Sequence, residues 1–227
     1  MKRFLTIVMY HYVRQISKSA YPDIKGLEIS LFEEQLGYYK AHHNIIKPEE
    51  FLNALRDPKQ LPDRALLLTF DDGYLDHYSH VYPILMRNQL SAFFFPPAQC
   101  VLNREMLDVN KIHFILASVN NKQKIVDIIQ KEIGQMGEKY NLSLPESYWH
   151  EYAIADNYDP AEVIFIKRIL QKGLPLDARR RIIDVLFQRF VSVDEKDFAE
   201  RLYVSVEQLK IMLESGMSVG SHGYAHN

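Results

Sequence analysis

The chain has 227 residues, of which 47% are hydrophobic and 25% are charged, and this composition is typical of a folded globular protein. Its net charge of −2 comes without a large basic block, which argues against a nucleic-acid partner. The single cysteine, Cys100, excludes an internal disulfide, and no apolar run approaches the roughly 20 residues that a membrane-spanning helix needs.

The chain begins with alternating strand and helix signals. Residues 4–10 form a short apolar run that ends in tyrosine and histidine, which predicts a buried strand rather than a signal peptide. For that reason we expect a cytoplasmic protein. A capping box at Ser30-Leu31-Phe32-Glu33 predicts a helix through about residue 42. A short strand at 45–46 and a helix from Pro48 follow.

Two longer apolar runs indicate a parallel sheet. Residues 65–70 and 91–95 are bounded by turn signals and predict two buried strands, of which the first is buried on both faces. The segment between them predicts a helix over about 76–88. Strand, helix and strand at this spacing form a βαβ unit, so we expect the two strands to run parallel.

The pattern changes after residue 102. Between 103 and 203 apolar residues recur at helical spacing and strand signals are scarce, which predicts a helical insertion. The predicted domains are therefore 1–102 together with 204–227, and 103–203. A second capping box, Ser205-Val206-Glu207-Gln208, begins a helix, and residues 217–220 return to the alternating pattern of a strand.

The first polar motif follows the run at 65–70 and reads Thr69-Phe70-Asp71-Asp72-Gly73-Tyr74. In parallel α/β folds, ligands bind at the carboxyl ends of the strands. Because adjacent residues there point in different directions, one carboxylate can bind a metal while the other accepts a proton from the water that the metal activates. The alternative is an ordinary loop in which an aspartate caps the next helix.

The second motif, Ser221-His222-Gly223-Tyr224-Ala225-His226, has two histidines four residues apart. On a helical turn this spacing places both imidazoles on one face, where they can bind one ion. Two surface histidines are the alternative. Together, Asp72, His222 and His226 would supply three ligands and leave one position for water, as in catalytic zinc sites.

Other histidines are weaker candidates. His11 ends the first strand and is expected at the same end of the sheet, either as a site residue or as a rim histidine bonded to backbone. His113 lies in the insertion beside Asp108 and Asn110. The remaining histidines are predicted to be solvated: His42, His43, His77, His80 and His150.

The two motifs together resemble the signature motifs of the polysaccharide deacetylases, the NodB-homology enzymes of carbohydrate esterase family 4. The strand ends at 9–12 and 92–95 are similar to theirs as well. The resemblance implies an α/β fold, a distorted (β/α) barrel, which here would be incomplete at the C-terminus and carry a large helical insertion. It also implies metal-dependent hydrolysis of an N-acetyl or O-acetyl group on a polysaccharide or glycan precursor.

The resemblance also implies a role for each motif residue. Asp71 matches the catalytic base, and Asp72, His222 and His226 match the metal ligands. The ion would be zinc, with cobalt, nickel or manganese as alternatives. Metal-bound water would attack the acetyl carbonyl while Asp71 takes its proton, and the backbone N–H of Tyr74 would help to hold the oxyanion.

Two departures from the family pattern leave alternatives open. The family usually places its motifs about 50 residues apart, whereas Asp72 and His222 are separated by 222 − 72 = 150 residues. Its later motifs, with an arginine that orients the base and a histidine that acts as general acid, would follow residue 227. We therefore expect a fragment of a longer protein; otherwise His11 or His113 would supply the acid. The alternative functions are a non-catalytic sugar-binding or assembly module and a hydrolase of a non-sugar amide.

Overall fold

The computed structural model describes residues 4–225. The chain divides into two compact units. The first holds the chain up to Ser19, Lys25–Glu105 and the chain from Lys196 onward, and the second holds Ala20–Ile24 and Met106–Glu195.

The first unit is built on a parallel sheet. Its strands run in the order β1-β5-β6-β7, with β4 paired to the start of β5. A separate pair joins β2 to β3 in parallel. The strands are β1 Leu5–Tyr10, β2 Val13–Arg14, β3 Leu27–Glu28, β4 Asn44–Ile45, β5 Ala65–Asp71, β6 Phe93–Phe95 and β7 Ser218–Val219. Within residues 4–225 the main sheet is open, with β1 and β7 at its ends. The predicted burial of the first strand is therefore wrong: β1 is an edge strand, and only Tyr10 is buried in it.

The α-helices lie before, between and after these strands. They are α1 Ile29–His42, α2 Pro48–Ala54, α3 Tyr82–Arg87, α4 Ala98–Leu102, α5 Asp108–Ser118, α6 Gln123–Tyr140, α7 Pro145–Tyr152, α8 Ala161–Arg168, α9 Leu176–Phe190, α10 Glu195–Leu202 and α11 Val206–Glu214. A π-helical turn, His77–Val81, runs directly into α3. The predicted α/β fold with parallel strands is thus confirmed. No helix in the described part of the chain is both long and apolar enough to cross a membrane.

β5 is buried along its whole length because both of its faces are covered. The even-numbered Leu66, Leu68 and Phe70 lie in a core cluster with residues of α1, α3 and α11. The odd-numbered Ala65 and Leu67 lie in a second cluster that includes residues of α2 and β6. A strand with two covered faces needs a continuous apolar run, which is the pattern that predicted it.

The two predicted capping boxes have different outcomes. At α11, Ser205 Oγ accepts a hydrogen bond from the Gln208 N–H at 3.1 Å, and Gln208 Oε1 accepts one from the Ser205 N–H at 2.8 Å, so this box is confirmed. The box at Ser30 is wrong, because α1 begins at Ile29. The residue before it, Glu28, is already held extended in β3, and the chain passes directly from that strand into the helix.

The second unit is helical through α5 to α9 and has its own core. Side chains from four of its helices are fully buried; they include Ile115, Ile129, Phe165 and Leu186. The Lys111 ammonium is buried as well, and it bonds to Asp184 at 2.8 Å and to Glu195 at 2.7 Å. Two carboxylates therefore compensate the buried positive charge of Lys111.

Candidate functional site

The first motif turns the chain sharply at the carboxyl end of β5. Asp71 is the last residue of the strand and lies in register with Phe95 of β6. The next two residues have left-handed backbones, with φ of 68° at Asp72 and 61° at Gly73. Aspartate tolerates this conformation better than most residues, and glycine adopts it without strain. The Asp-Asp-Gly sequence therefore suits a reversal that leaves two carboxylates at the strand end.

Gly73 is required by space as well as by its backbone. A Cβ atom at this position would lie 3.0 Å from Cα of Pro96 and 2.6 Å from its Cβ, and the second distance is closer than real Cβ atoms approach. The turn at the end of β5 thus packs directly against the residue that follows β6.

Asp72 is 3% exposed, and both its backbone and its side chain are held. Its backbone N–H donates to the carbonyl of Phe95 at 3.1 Å. The hydroxyl of Tyr74, itself fully buried, donates to Asp72 Oδ2 at 2.6 Å. Burial raises the pKa of Tyr74 well above its usual range, so the phenol keeps the proton that it donates.

The second motif reaches the same end of the sheet through β7. The Gly220 N–H donates to the carbonyl of Phe94 at 2.9 Å, and the His222 N–H lies 3.4 Å from the carbonyl of Pro96. A Cβ at Gly220 would lie 2.4 Å from the ring of Phe95, so only glycine fits there. Ser221 Oγ accepts a hydrogen bond from the Gly223 N–H at 3.1 Å, as expected for a residue that caps this turn.

Two neighbouring carbonyl groups bring the motifs together. Phe95 accepts from the backbone of Asp72, and Pro96 accepts from the backbone of His222. As a result, Asp72 Oδ1 and His222 Nε2 lie 3.7 Å apart although 150 residues separate them in sequence. Both halves of the candidate site are therefore attached to the backbone at the end of β6.

The Asp72–His222 pair fits a shared divalent cation. At 3.7 Å the two atoms are beyond the distance of a normal hydrogen bond, about 2.7–3.2 Å. Two donor atoms that are each about 2.1 Å from a tetrahedral ion lie about 3.4 Å apart, close to the observed separation. A carboxylate oxygen and an imidazole nitrogen are also ligand types that zinc and other first-row divalent ions accept.

The remaining predicted site residues are placed as follows. His226 lies outside the described residues, and within 4–225 the structure brings together no group of three or more His, Cys, Asp and Glu side chains that could hold an ion. His11 is exposed just after β1. His113 is half-buried in α5 of the second unit. The metal ligands and the roles of Asp71, Tyr74, His11 and His113 stay predictions.

One histidine prediction is wrong. His77, expected to be solvated, is 1% exposed, because the helix begins with a π turn that directs this residue toward the rings of Phe70 and Phe94. Its Nε2 is 2.9 Å from the carbonyl oxygen of His11. Burial lowers the pKa of His77 to about 4, so the ring is neutral at pH 7 and Nε2 donates its proton to that carbonyl.

Four residues around the first motif were not found from the sequence. The Tyr74 ring stacks on Tyr12 at a centroid distance of 4.0 Å and on Tyr203 at 6.1 Å. Arg14 lies over the Tyr12 ring and pairs with Asp76 at 2.6 Å. Burial raises the pKa of Asp76 despite the neighbouring guanidinium. The aromatic strand end at residues 10–12 was the only available signal, and it pointed to His11 rather than to Tyr12.

Part of the chain matches a known protein family. Residues 58–137 match the family model described as polysaccharide deacetylase. The matched segment contains Thr69–Tyr74, and it ends before the second motif. The resemblance to polysaccharide deacetylases is thereby confirmed over this segment.

Named relatives match shorter stretches. Over 72 residues the chain is 35% identical to poly-beta-1,6-N-acetyl-D-glucosamine N-deacetylase of Escherichia coli K12, a match that covers 31% of this chain and 11% of that protein. Over 92 residues it is 28% identical to the putative polysaccharide deacetylase YxkH of Bacillus subtilis 168, covering 40% and 31% of the two chains. The chain therefore spans less than a third of either relative's length.

Among solved structures, a de-N-acetylase from Aggregatibacter actinomycetemcomitans is similar. The match has 25% identity and a TM-score of 0.38, and it covers 43% of this chain and 38% of that one.

Proposed function

We propose that this chain is part of a metal-dependent deacetylase that hydrolyses an N-acetyl group, or alternatively an O-acetyl group, on an acetylated carbohydrate. The observation that carries the proposal is the 3.7 Å approach of Asp72 Oδ1 and His222 Nε2 beside a second buried carboxylate, Asp71. The named relatives support the reaction class, because both carry deacetylase in their names.

Asp72 and His222 would hold the metal ion, and His226 would supply a third ligand. When bound, zinc or another first-row divalent ion lowers the pKa of a coordinated water and polarises an acyl oxygen. The buried setting of Asp72 strengthens its attraction for a cation, because few water molecules compete for the carboxylate.

Asp71 would act as the general base. Strand alternation places it on the same face of β5 as Leu67 and Thr69, whereas Asp72 lies beyond the strand in a left-handed conformation. The two carboxylates therefore start from different backbone geometries and can take different roles. Asp71 would accept the proton of the attacking water and could return it to the leaving amine. His11, exposed beyond β1, is the alternative donor in the first unit.

We further propose that the open sheet is part of a (β/α) barrel. β1 lies at one end of the sheet and is six residues long. Its Ile7 and Met9 side chains are 54% and 59% exposed, which leaves an apolar strip on an edge strand. Soluble proteins usually cover such edges, and additional strands of a barrel would do so.

The test compares Asp71→Asn with Asp72→Asn. The substrate is an oligomer of β-1,6-linked N-acetylglucosamine, the sugar in the name of the E. coli relative, and simple acetamides serve for comparison. Asp71→Asn should lower acetate release by about 10²- to 10⁴-fold and leave the affinity for zinc unchanged. Asp72→Asn should lose both acetate release and zinc binding.

Other results would reject parts of the proposal. Acetate release that survives in Asp71→Asn would exclude this residue as the base. Sugar binding without acetate release, in metal-loaded protein, would favour the non-catalytic module. Faster hydrolysis of the simple acetamides than of the sugar would identify a different amide hydrolase.

A further inference from the structure

The side chain of Tyr74 makes a contact that its proposed backbone role does not explain. Its hydroxyl donates to Asp72 Oδ2 at 2.6 Å. Asp72 Oδ1 is the oxygen that lies 3.7 Å from His222 Nε2. The two oxygens of one carboxylate therefore face different groups.

A hydrogen bond to one carboxylate oxygen restricts rotation of the whole group. With Oδ2 held by a short bond, the direction of Oδ1 is fixed relative to the backbone turn of Asp72 and Gly73. Carboxylates that bind metals are commonly oriented by such outer hydrogen bonds, and loss of one weakens metal affinity by about 10- to 100-fold.

The phenol of Tyr74 is itself held in place. Its ring lies between the rings of Tyr12 and Tyr203, inclined to them by 21° and 13°. Tyr74 and Tyr203 also form an antiparallel backbone bridge, and the Val204 N–H donates to the Gly73 carbonyl at 3.0 Å. The donor therefore cannot swing away from Asp72 without disrupting this packing.

Tyr12 extends the hydrogen-bonded chain by one step. Its hydroxyl is hydrogen-bonded to that of Tyr74. Tyr12 therefore holds Tyr74 through its ring as well as through its hydroxyl.

We propose that Tyr74, supported by Tyr12, is a positioning residue that orients the Asp72 carboxylate toward the ion. This inference rests on the proposed function, in which Asp72 is a metal ligand. A merely structural role for the Tyr74 hydroxyl predicts a loss of stability with unchanged metal affinity, whereas a positioning role predicts weaker binding in protein that remains folded.

The experiment measures the Kd of zinc by competition with a chromogenic chelator, and the visible spectrum of the Co²⁺-loaded protein. Tyr74→Phe keeps the ring and removes the hydroxyl, and it should weaken zinc binding by about 10- to 100-fold and change the cobalt spectrum. Tyr10→Phe is the matched control, because it removes another buried tyrosine hydroxyl, which donates to Gln35 at 2.8 Å. Its Kd should equal that of the wild type.

The outcomes separate this inference from the proposed function. Wild-type affinity in Tyr74→Phe, with binding abolished in Asp72→Asn, would overturn the inference and leave the proposed function intact. Absence of zinc binding in the wild type would exclude both this inference and the proposed function. If Tyr74→Phe does not fold, Tyr12→Leu provides the test, because it removes one of the rings that hold Tyr74: the inference expects weaker zinc binding, and an unchanged Kd overturns it.

Discussion

The two motifs are built in different ways although they meet at one place. Asp72 of the first motif has a side chain 4% exposed, whereas the His222 side chain of the second is 30% exposed. The first turn is enclosed by tyrosine rings and bonded through Tyr74, while the second is an exposed turn held by backbone bonds to residues 96–99. The protein thus fixes one half of the candidate site in its core and leaves the other half at its surface.

Substitutions in the two regions should therefore affect protein stability to different extents. In the first motif, a substitution disturbs core packing and buried hydrogen bonds, so stability and metal binding should change together. In the second, the chain has room to adjust, so a substitution should affect stability little. The variants below test that contrast, from the largest expected effect on stability to the smallest.

The largest contrast is expected between two glycines with positive φ. Gly73→Ala would combine a strained backbone with a Cβ 2.6 Å from Pro96, and we expect it to lower the free energy of unfolding by about 4 kcal/mol. At Gly223 φ is 76° but nothing lies within 4 Å of the added Cβ, so Gly223→Ala should cost only about 1 kcal/mol. Urea unfolding measures both.

A third glycine provides the reference for these values. Gly137 lies in α6 without a positive φ and with nothing within 4 Å of an added Cβ. Gly137→Ala should therefore stabilise the protein by about 0.5–1 kcal/mol. Equal losses in Gly73→Ala and Gly223→Ala would contradict the contrast between the two motifs.

The second largest effect is expected from the ion pair beside the first motif. The Arg14 and Asp76 side chains are 16% and 11% exposed. Arg14→Met keeps an apolar chain over Tyr12 but leaves the Asp76 carboxylate without its guanidinium, and it should lower the unfolding free energy by about 2 kcal/mol at pH 7. Urea unfolding against pH is the measurement.

The pH dependence has a defined sign. Burial already raises the pKa of Asp76 in the folded protein, and removal of Arg14 raises it further. When the pKa of a carboxyl is higher in the folded protein than in the unfolded chain, the folded state holds the proton more tightly. The free energy of unfolding therefore falls as pH rises from the unfolded pKa through the folded pKa. The deficit of Arg14→Met should therefore shrink below the folded pKa, and a deficit independent of pH would show that packing dominates.

The smallest effect is expected in the second motif. Ser221→Ala removes only the 3.1 Å hydrogen bond from the Gly223 N–H to Oγ, in an exposed turn. Water can replace this acceptor, so we expect a loss of about 0.5 kcal/mol in urea unfolding. A loss above about 2 kcal/mol would show that the second motif is as rigidly held as the first.

The sequence predicted the features that depend on local pattern. The continuous run at 65–70 gave β5 and its two covered faces, and the Ser205 capping box gave the start of α11. The position of the Asp-Asp-Gly turn followed from the same run, because polar residues after a buried strand must lie at its carboxyl end. These inferences needed no knowledge of distant contacts.

Features set by tertiary packing could not be predicted in this way. Ser30 looked like a helix cap, but pairing of β3 with β2 fixed an earlier start. His77 looked solvated because its pattern does not reveal a π turn. The stack of Tyr12, Tyr74 and Tyr203 joins residues up to 191 positions apart (203 − 12), a relation that no local pattern encodes.

The attachment of both motifs to adjacent carbonyls has a consequence in polymer statistics. Bringing two points of a flexible chain together has an entropic cost that grows only with the logarithm of the intervening length, so an increase from about 50 to about 150 residues adds about 1 kcal/mol. Residues 106–195 also fold into a compact unit of their own, which shortens the flexible path between the ends. Because the carbonyls of Phe95 and Pro96 hold both motifs in place, the long intervening segment adds little to the entropic cost of bringing Asp72 and His222 together.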